Sequence, residues 1–268
     1  MLYHHQVHDP YAVFRSSTTP FGLYARQKWL GESSTPQWKE DFANKVAELV
    51  RGQSADGLWR RSAMETIQRL FGLHLTVRHS DPCIDKGLDA LLKIASESKS
   101  GEHPVDVPSA RLRGLPFAQG PRRSIILPAT LFLCAIFGRS AAPVVLELYD
   151  RVLSGMARGM REEQPSSLHN LLRALVVHPQ YAGHPATLNL VAWLGDRQAE
   201  HGDWGPDIPF YQAVNALAHL DAPAANQQIE CAVDLLVSTQ KPDGSWGDRQ
   251  KEWSTFLAVH ALRNKGIL

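Results

Sequence analysis

Three carboxylates could hand a proton to a substrate: Asp207, Asp248 and Glu252. A carboxyl does this near neutral pH when an apolar surround raises its pKa. Asp207 and Asp248 also precede predicted helices, and aspartate is a favoured N-cap, so capping is the competing role. Two arginine pairs, Arg60–Arg61 and Arg122–Arg123, carry guanidinium forks suited to phosphate, and they read equally as solvated surface charge. Gln212, Asn215 and His219 fall at i, i+3 and i+7, a polar stripe on an otherwise apolar helix. Glu65 with Arg69, and His169 with Asn170 and Arg173, add polar groups to helices of the same kind. Such groups are costly to bury unpaired, so they pair across helices, line a wet cavity or bind a ligand. Phe210, Tyr211, Trp253, Phe256, Phe21, Tyr24 and Trp29 are aromatics that either face a cation or simply pack.

The elements that must position these groups are helices almost throughout. Trp38, Phe42, Val46 and Leu49 recur at helical intervals after Pro36, and Ile229, Val233 and Leu236 do the same further on. No run of alternating β-branched residues appears. Amphipathic stretches at 36–50, 82–97, 143–161, 185–198 and 225–239 alternate with less charged ones at 20–30, 61–74, 124–137, 167–178, 208–220 and 253–264. A helix with one apolar stripe belongs outside and one apolar on most sides belongs inside. The alternation predicts an all-α (α/α)6 toroid formed by residues 1–268 as one domain, with segment 1–15 completing the ring. An open superhelix is the rival, and it would leave both layers exposed on one side.

The turns between the layers carry a repeat. Gln-x-x-x-Gly-x-Trp occurs as Gln53–Gly57–Trp59, Gln198–Gly202–Trp204 and Gln240–Gly244–Trp246. The glycine can take a positive φ, the glutamine amide can satisfy free groups at a helix end, and the indole can fill the wedge between repeats. Residues 98–121 are rich in proline and glycine with little helical periodicity, and run directly into Arg122–Arg123. A loop of this length is read as a lid over the ring.

Bulk properties narrow the function classes. Of 268 residues, 44% are hydrophobic and 21% charged, ordinary for a chain with a sizeable core. The net charge of +1 exerts no general pull on nucleic acid. Cys83, Cys134 and Cys231 are odd in number and far apart, which suggests reduced thiols and a cytoplasmic protein. The most apolar stretch, 125–137, is too short to span a bilayer, leaving only peripheral membrane contact open. His4, His5, His8 and Asp9 have metal-like content, for which a frayed terminus is the competing reading.

The repeated turn resembles the QW motif of the squalene/terpenoid cyclases and protein prenyltransferase β-subunits. Gln240-Lys-Pro-Asp-Gly-Ser-Trp-Gly followed by Ser254-Thr-Phe-Leu-Ala-Val-His-Ala-Leu looks like a cyclase repeat, and the stretch from Gly202 to Leu217 is similar to a prenyltransferase repeat. The resemblance implies an isoprenoid or similar hydrophobic substrate such as a prenyl diphosphate, acid-initiated cyclisation in the lumen, and an active end at the inner-helix starts. Asp207, Asp248 and Glu252 lie at such starts, as do Arg60, Arg61, Arg122, Arg123, Phe210, Tyr211 and Trp253. Gln212, Asn215, His169 and Glu65 would contact substrate further in. The chain lacks the Asp-x-Asp-Asp and Asp-Asp-x-x-Asp motifs of the two cyclase classes, having no consecutive aspartates. Asp81-Pro82-Cys83 matches the spacing of the prenyltransferase zinc pair but precedes an outer helix, so no metal or cofactor is expected. A non-catalytic toroid that binds a hydrophobic ligand or a partner protein, and a zinc-independent prenyltransferase, are the alternatives.

Overall fold

The computed structural model describes residues 8–97, 107–159 and 164–268. Among them are eleven α-helices: α1 (Pro20–Lys28), α2 (Pro36–Val50), α3 (Ala63–Thr76), α4 (Pro82–Glu97), α5 (Arg123–Ile136), α6 (Pro143–Gly159), α7 (Pro165–Leu175), α8 (Pro185–Gly195), α9 (Phe210–Leu217), α10 (Pro223–Thr239) and α11 (Lys251–Asn264). Seven of them begin on proline, whose fixed φ and missing N–H suit the first turn. Side-chain caps complete several starts: Thr19 accepts from Gly22 N, Thr35 from Trp38 N and Ser62 from Glu65 N.

The odd-numbered helices form the inner ring. α1 packs on α3, α3 on α5, α5 on α7, α7 on α9, α9 on α11, and α11 returns to α1. The ring is therefore closed. Because an outer helix intervenes each time, all six inner helices run in the same direction. The outer helices α2, α4, α6, α8 and α10 lie in the grooves between them.

The three repeated turns work alike. Gln53 Nε2 donates to the Gly57 carbonyl at 3.0 Å and to the Cys83 carbonyl of the next outer helix at 2.8 Å. Gln198 does the same to Gly202 and Gln228, at 2.9 and 2.8 Å. Gln240 donates to Gly244 at 2.9 Å and to the His8 carbonyl at 2.9 Å. The segment from His8 thus takes the place of a sixth outer helix; residues 1–7 of the segment expected to complete the ring lie outside the described residues. The indoles of Trp59 and Trp246 donate to the preceding outer helix, at Val50 and Leu236, whereas Trp204 donates to the Gln228 side chain. All three are buried, as the wedge role requires.

Helix boundaries depart from the sequence expectation by a few residues. α7 starts earlier, on Pro165, and α9 is shorter at both ends. The end expected for α6 at 161 lies outside the described residues. No helix among them is long and apolar enough to cross a membrane.

Candidate functional site

A cavity of about 430 Å³ occupies the lumen. Its aromatic wall is Tyr24 from α1, Phe71 from α3, Phe132 from α5, and Trp253 and Phe256 from α11. Trp253 stacks on Phe256 with ring centres 5.5 Å apart and meets Phe71 edge-on at 5.9 Å. Its polar wall is His74 and Arg78 at the end of α3, Arg173 on α7, Asn215 and His219 on and just after α9, and His260 on α11. The polar residues sit in or just after the C-terminal halves of the inner helices, whereas Trp253 and Phe256 lie in the first half of α11. His219 is deep within the ring by its surroundings yet exposed by its surface, because it faces the cavity.

The opposite end of the ring is covered. Residues 107–121 cross the inner-helix starts, burying Leu115, Phe117 and Ala118. Asn170 on α7 clasps Ala118 from both sides: its Oδ1 accepts from Ala118 N at 2.6 Å, and its Nδ2 donates to Ala118 O at 3.1 Å. Gln68 on α3 donates to the Arg111 carbonyl at 2.9 Å, and Gly114 N donates to Gln250 beside α11 at 3.2 Å. Pro116 of the same segment forms part of the cavity lining. The first part of the sequence-predicted lid, 98–106, lies outside the described residues.

This geometry separates the lumen cavity from most of the candidate residues. The active end was expected at the inner-helix starts, but packing of 107–121 there leaves the accessible hollow at the other end. Of the candidate residues, Asn215 and Trp253 line the lumen cavity, together with His219, Tyr24 and Phe256. Asp207 is exposed on the loop before α9, whose cap position is Pro209. Asp248 is 89% exposed and paired with Lys241 at 2.6 Å. That hydrogen bond lowers its pKa, the reverse of what a proton donor needs. Neither aspartate caps a helix. Glu252 lies partly buried beside a second hollow of about 300 Å³ on the covered face, and accepts from Ser17 and, at 2.8 Å, from Thr19 Oγ1. It ties α11 to α1.

The remaining candidates also stand apart from the cavity. Arg60, Arg61, Arg122 and Arg123 are exposed, the first two with φ of 50° and 53° in the turn after Trp59. Glu65 pairs with Arg69 at 3.0 Å and Arg111 at 3.6 Å, and Arg69 in turn donates to carbonyls at the end of α2. Phe210 packs near Trp204, Tyr211 lies by Gly247, and Gln212 is partly exposed. His169 is buried beneath the covering segment, and burial pushes its pKa down to about 3. Asp81 caps α4, and among the described residues no group of His, Cys, Asp or Glu could hold a metal ion.

The lumen's electrostatics are one-sided. Arg173 is 3% exposed; its Nη1 donates to Asn215 Oδ1 at 3.0 Å and its guanidinium lies 5.3 Å from the Phe132 ring centre. Burial lowers its pKa to about 9. Arg78 sits 4.2 Å over the Tyr24 ring. No carboxylate lines the cavity among the described residues. Burial, with Arg78, His260 and Arg173 adding to it, lowers His74 to about 4; burial, Arg173 and Arg78 lower His260 to about 4. His219 is driven well below its ordinary value, first by burial and then by Arg173. The imidazoles are therefore neutral near pH 7, between two cations. Sequence reasoning did not single out His74, Arg78 or His260. Their signal was spacing alone, His74–Arg78 and Phe256–His260 each being one helical turn apart on an inner helix.

No family model matches the chain, and no curated protein matches it. Solved structures do. A protein from Actinoplanes is 17% identical, covering 96% of this chain and 89% of its own, with a TM-score of 0.54. The type II terpene cyclase MstE from Scytonema, in complex with merosterolic acid A as product, is 14% identical over 100% of this chain and 91% of its own, also at 0.54. The same cyclase with geranylgeranyl dihydroxybenzoate as substrate is 14% identical over 97% and 88%, at 0.53. At these identities the likeness is one of architecture: the chain has the all-α toroid fold of a type II terpenoid cyclase.

Proposed function

We propose that the protein is a small terpenoid-cyclase-like enzyme that takes an isoprenoid or similarly hydrophobic substrate into the lumen. The observation that carries this reading is the aromatic cavity, enclosed by all six inner helices and within the size range of ordinary small-molecule sites. The geranylgeranyl chain of the ligand held by the structurally similar cyclase is of the same chemical type. The groups placed to move a proton are His74, His219 and His260, which as neutral imidazoles can accept one from a substrate carbon or hydroxyl. Acid initiation by Asp207 or Asp248 has no support in the geometry, and Glu252 is on the far side of Trp253.

A second reading, a toroid that holds its ligand without turnover, is favoured by the two lumenal arginines. Their charge opposes an unpaired carbocation. Incubation with geranyl, farnesyl and geranylgeranyl compounds, read by product analysis and native mass spectrometry, separates the two. New products that disappear in His219→Ala and His260→Ala support the enzyme. A retained but unchanged ligand supports the holder, and neither retention nor products overturns both.

A further inference from the structure

Among the described residues, Arg173 and Arg78 have no counter-ion. Arg173 is buried, its one described side-chain acceptor is the neutral Asn215, and its Nε lacks a hydrogen-bond partner. Arg78 leaves Nε and Nη2 without partners. His74 Nδ1 and Trp253 Nε1, on residues lining the same cavity, are likewise unpartnered. Buried donors are satisfied in nearly every folded protein, so several unpartnered ones around one cavity mark where another molecule supplies the acceptors. A buried guanidinium needs more than a neutral acceptor: it calls for an anion.

The backbone adds an independent sign. Arg78 follows the end of α3 with φ of 62°, the left-handed position that commonly falls to glycine after a helix. Two other inner helices follow that preference: Gly138 stands there after α5 with φ of 79°, and Gly266 after α11 with φ of 66°. Arg78 carries that strain while lining the cavity. Both guanidiniums line the same cavity as His74 and His260, and both lower the pKa of each of these rings.

We infer that the lumen recognises its substrate by an acidic head group, carboxylate or phosphate, seated between Arg173 and Arg78, with the apolar remainder against Trp253, Phe71 and Phe132. This rests on the proposal that the lumen is the substrate site. A guanidinium fork binds either oxyanion through paired N–H groups, and the aromatic wall accepts any prenyl or aryl tail. The head group also neutralises the field that would oppose positive charge on the substrate.

The test is titration by calorimetry with farnesoic acid, farnesyl phosphate and farnesol, which share a tail and differ in the head. At least one acid should bind tenfold or more tightly than the alcohol, and the tighter of the two identifies the oxyanion. Arg173→Met should reduce acid binding to the level of the alcohol and leave the alcohol unchanged. Arg78→Gln, at a partly exposed residue, should weaken the acids selectively and serves if the Arg173 variant does not fold. Equal binding of acids and alcohol overturns the head-group assignment while keeping the lumen as a prenyl site. Acid binding that survives both substitutions overturns it as well. Failure of every prenyl compound, with Arg173-dependent binding of benzoate or inorganic phosphate, keeps the anion site and overturns the isoprenoid reading. No binding of any acid overturns the inference.

Discussion

Histidines near the lumenal arginines tie the site to stability. His74 and His260 have folded-state pKa values of about 4 and His169 of about 3, all below the ordinary value of 6.5. A group with a lowered pKa binds fewer protons when folded, so its contribution is complete above pH 6.5 and is lost as pH falls toward 4. Melting followed from pH 7.5 to pH 5 should show a marked drop, on the order of 2 kcal/mol for each such histidine at pH 5. A flat profile over this interval would mean that these rings keep their ordinary pKa in the fold. His169, Asn170 and Arg173 were visible in the sequence as polar residues on an inner helix, but their separate duties were not. One lies under the covering segment, one clasps it and one enters the cavity. Helical phase and the neighbouring loop made that division.

At the scale of elements, the three repeated turns were the clearest message in the chain. The outer helices 36–50 and 82–97 were legible to the residue, because proline sets their starts and an apolar stripe sets their phase. What the motif touches was less visible. A Cβ on Gly244 would meet the Asp9 carbonyl at 1.8 Å, and φ there is 81°. Gly52 has φ of 80° but nothing within 4 Å. Gly52→Ala should therefore cost about 1 kcal/mol from φ alone, and Gly244→Ala at least ~2–3 kcal/mol, since it must also displace the N-terminal segment. Chemical denaturation of the pair checks the difference. Equal losses would show that the segment does not close the ring through this turn.

At the scale of the whole molecule, closure of six inner helices makes an interior, and residues 107–121 decide which end of it is open. Asn170 is the hinge pin of that decision, holding both polar groups of the Ala118 peptide unit's residue in a buried setting. Asn170→Ala should leave them unpaired and lower stability by roughly 2 kcal/mol. It should also expose 107–121 to limited proteolysis, with cleavage there faster than in the parent protein. Unchanged cleavage would place the segment's anchorage elsewhere, at Gln68 and Gln250.

By itself the sequence determined the helical class, the alternation of layers and the turn chemistry, and it favoured a closed ring over an open superhelix, since each follows from local periodicity, proline and glycine placement and a repeated motif. It also named most of the aromatic wall. Only the tertiary structure decided where the cavity is. Arg78, just after α3, and Arg173 on α7 are separated by α4, α5 and α6 in the chain, and no local pattern records that they face one cavity without a carboxylate among the described residues. The acids chosen for their chemistry lie outside the lumen because the chain's own loop fills the end they surround. Charge balance within a cavity is a property of the assembled ring, and it becomes readable only once the helices have closed.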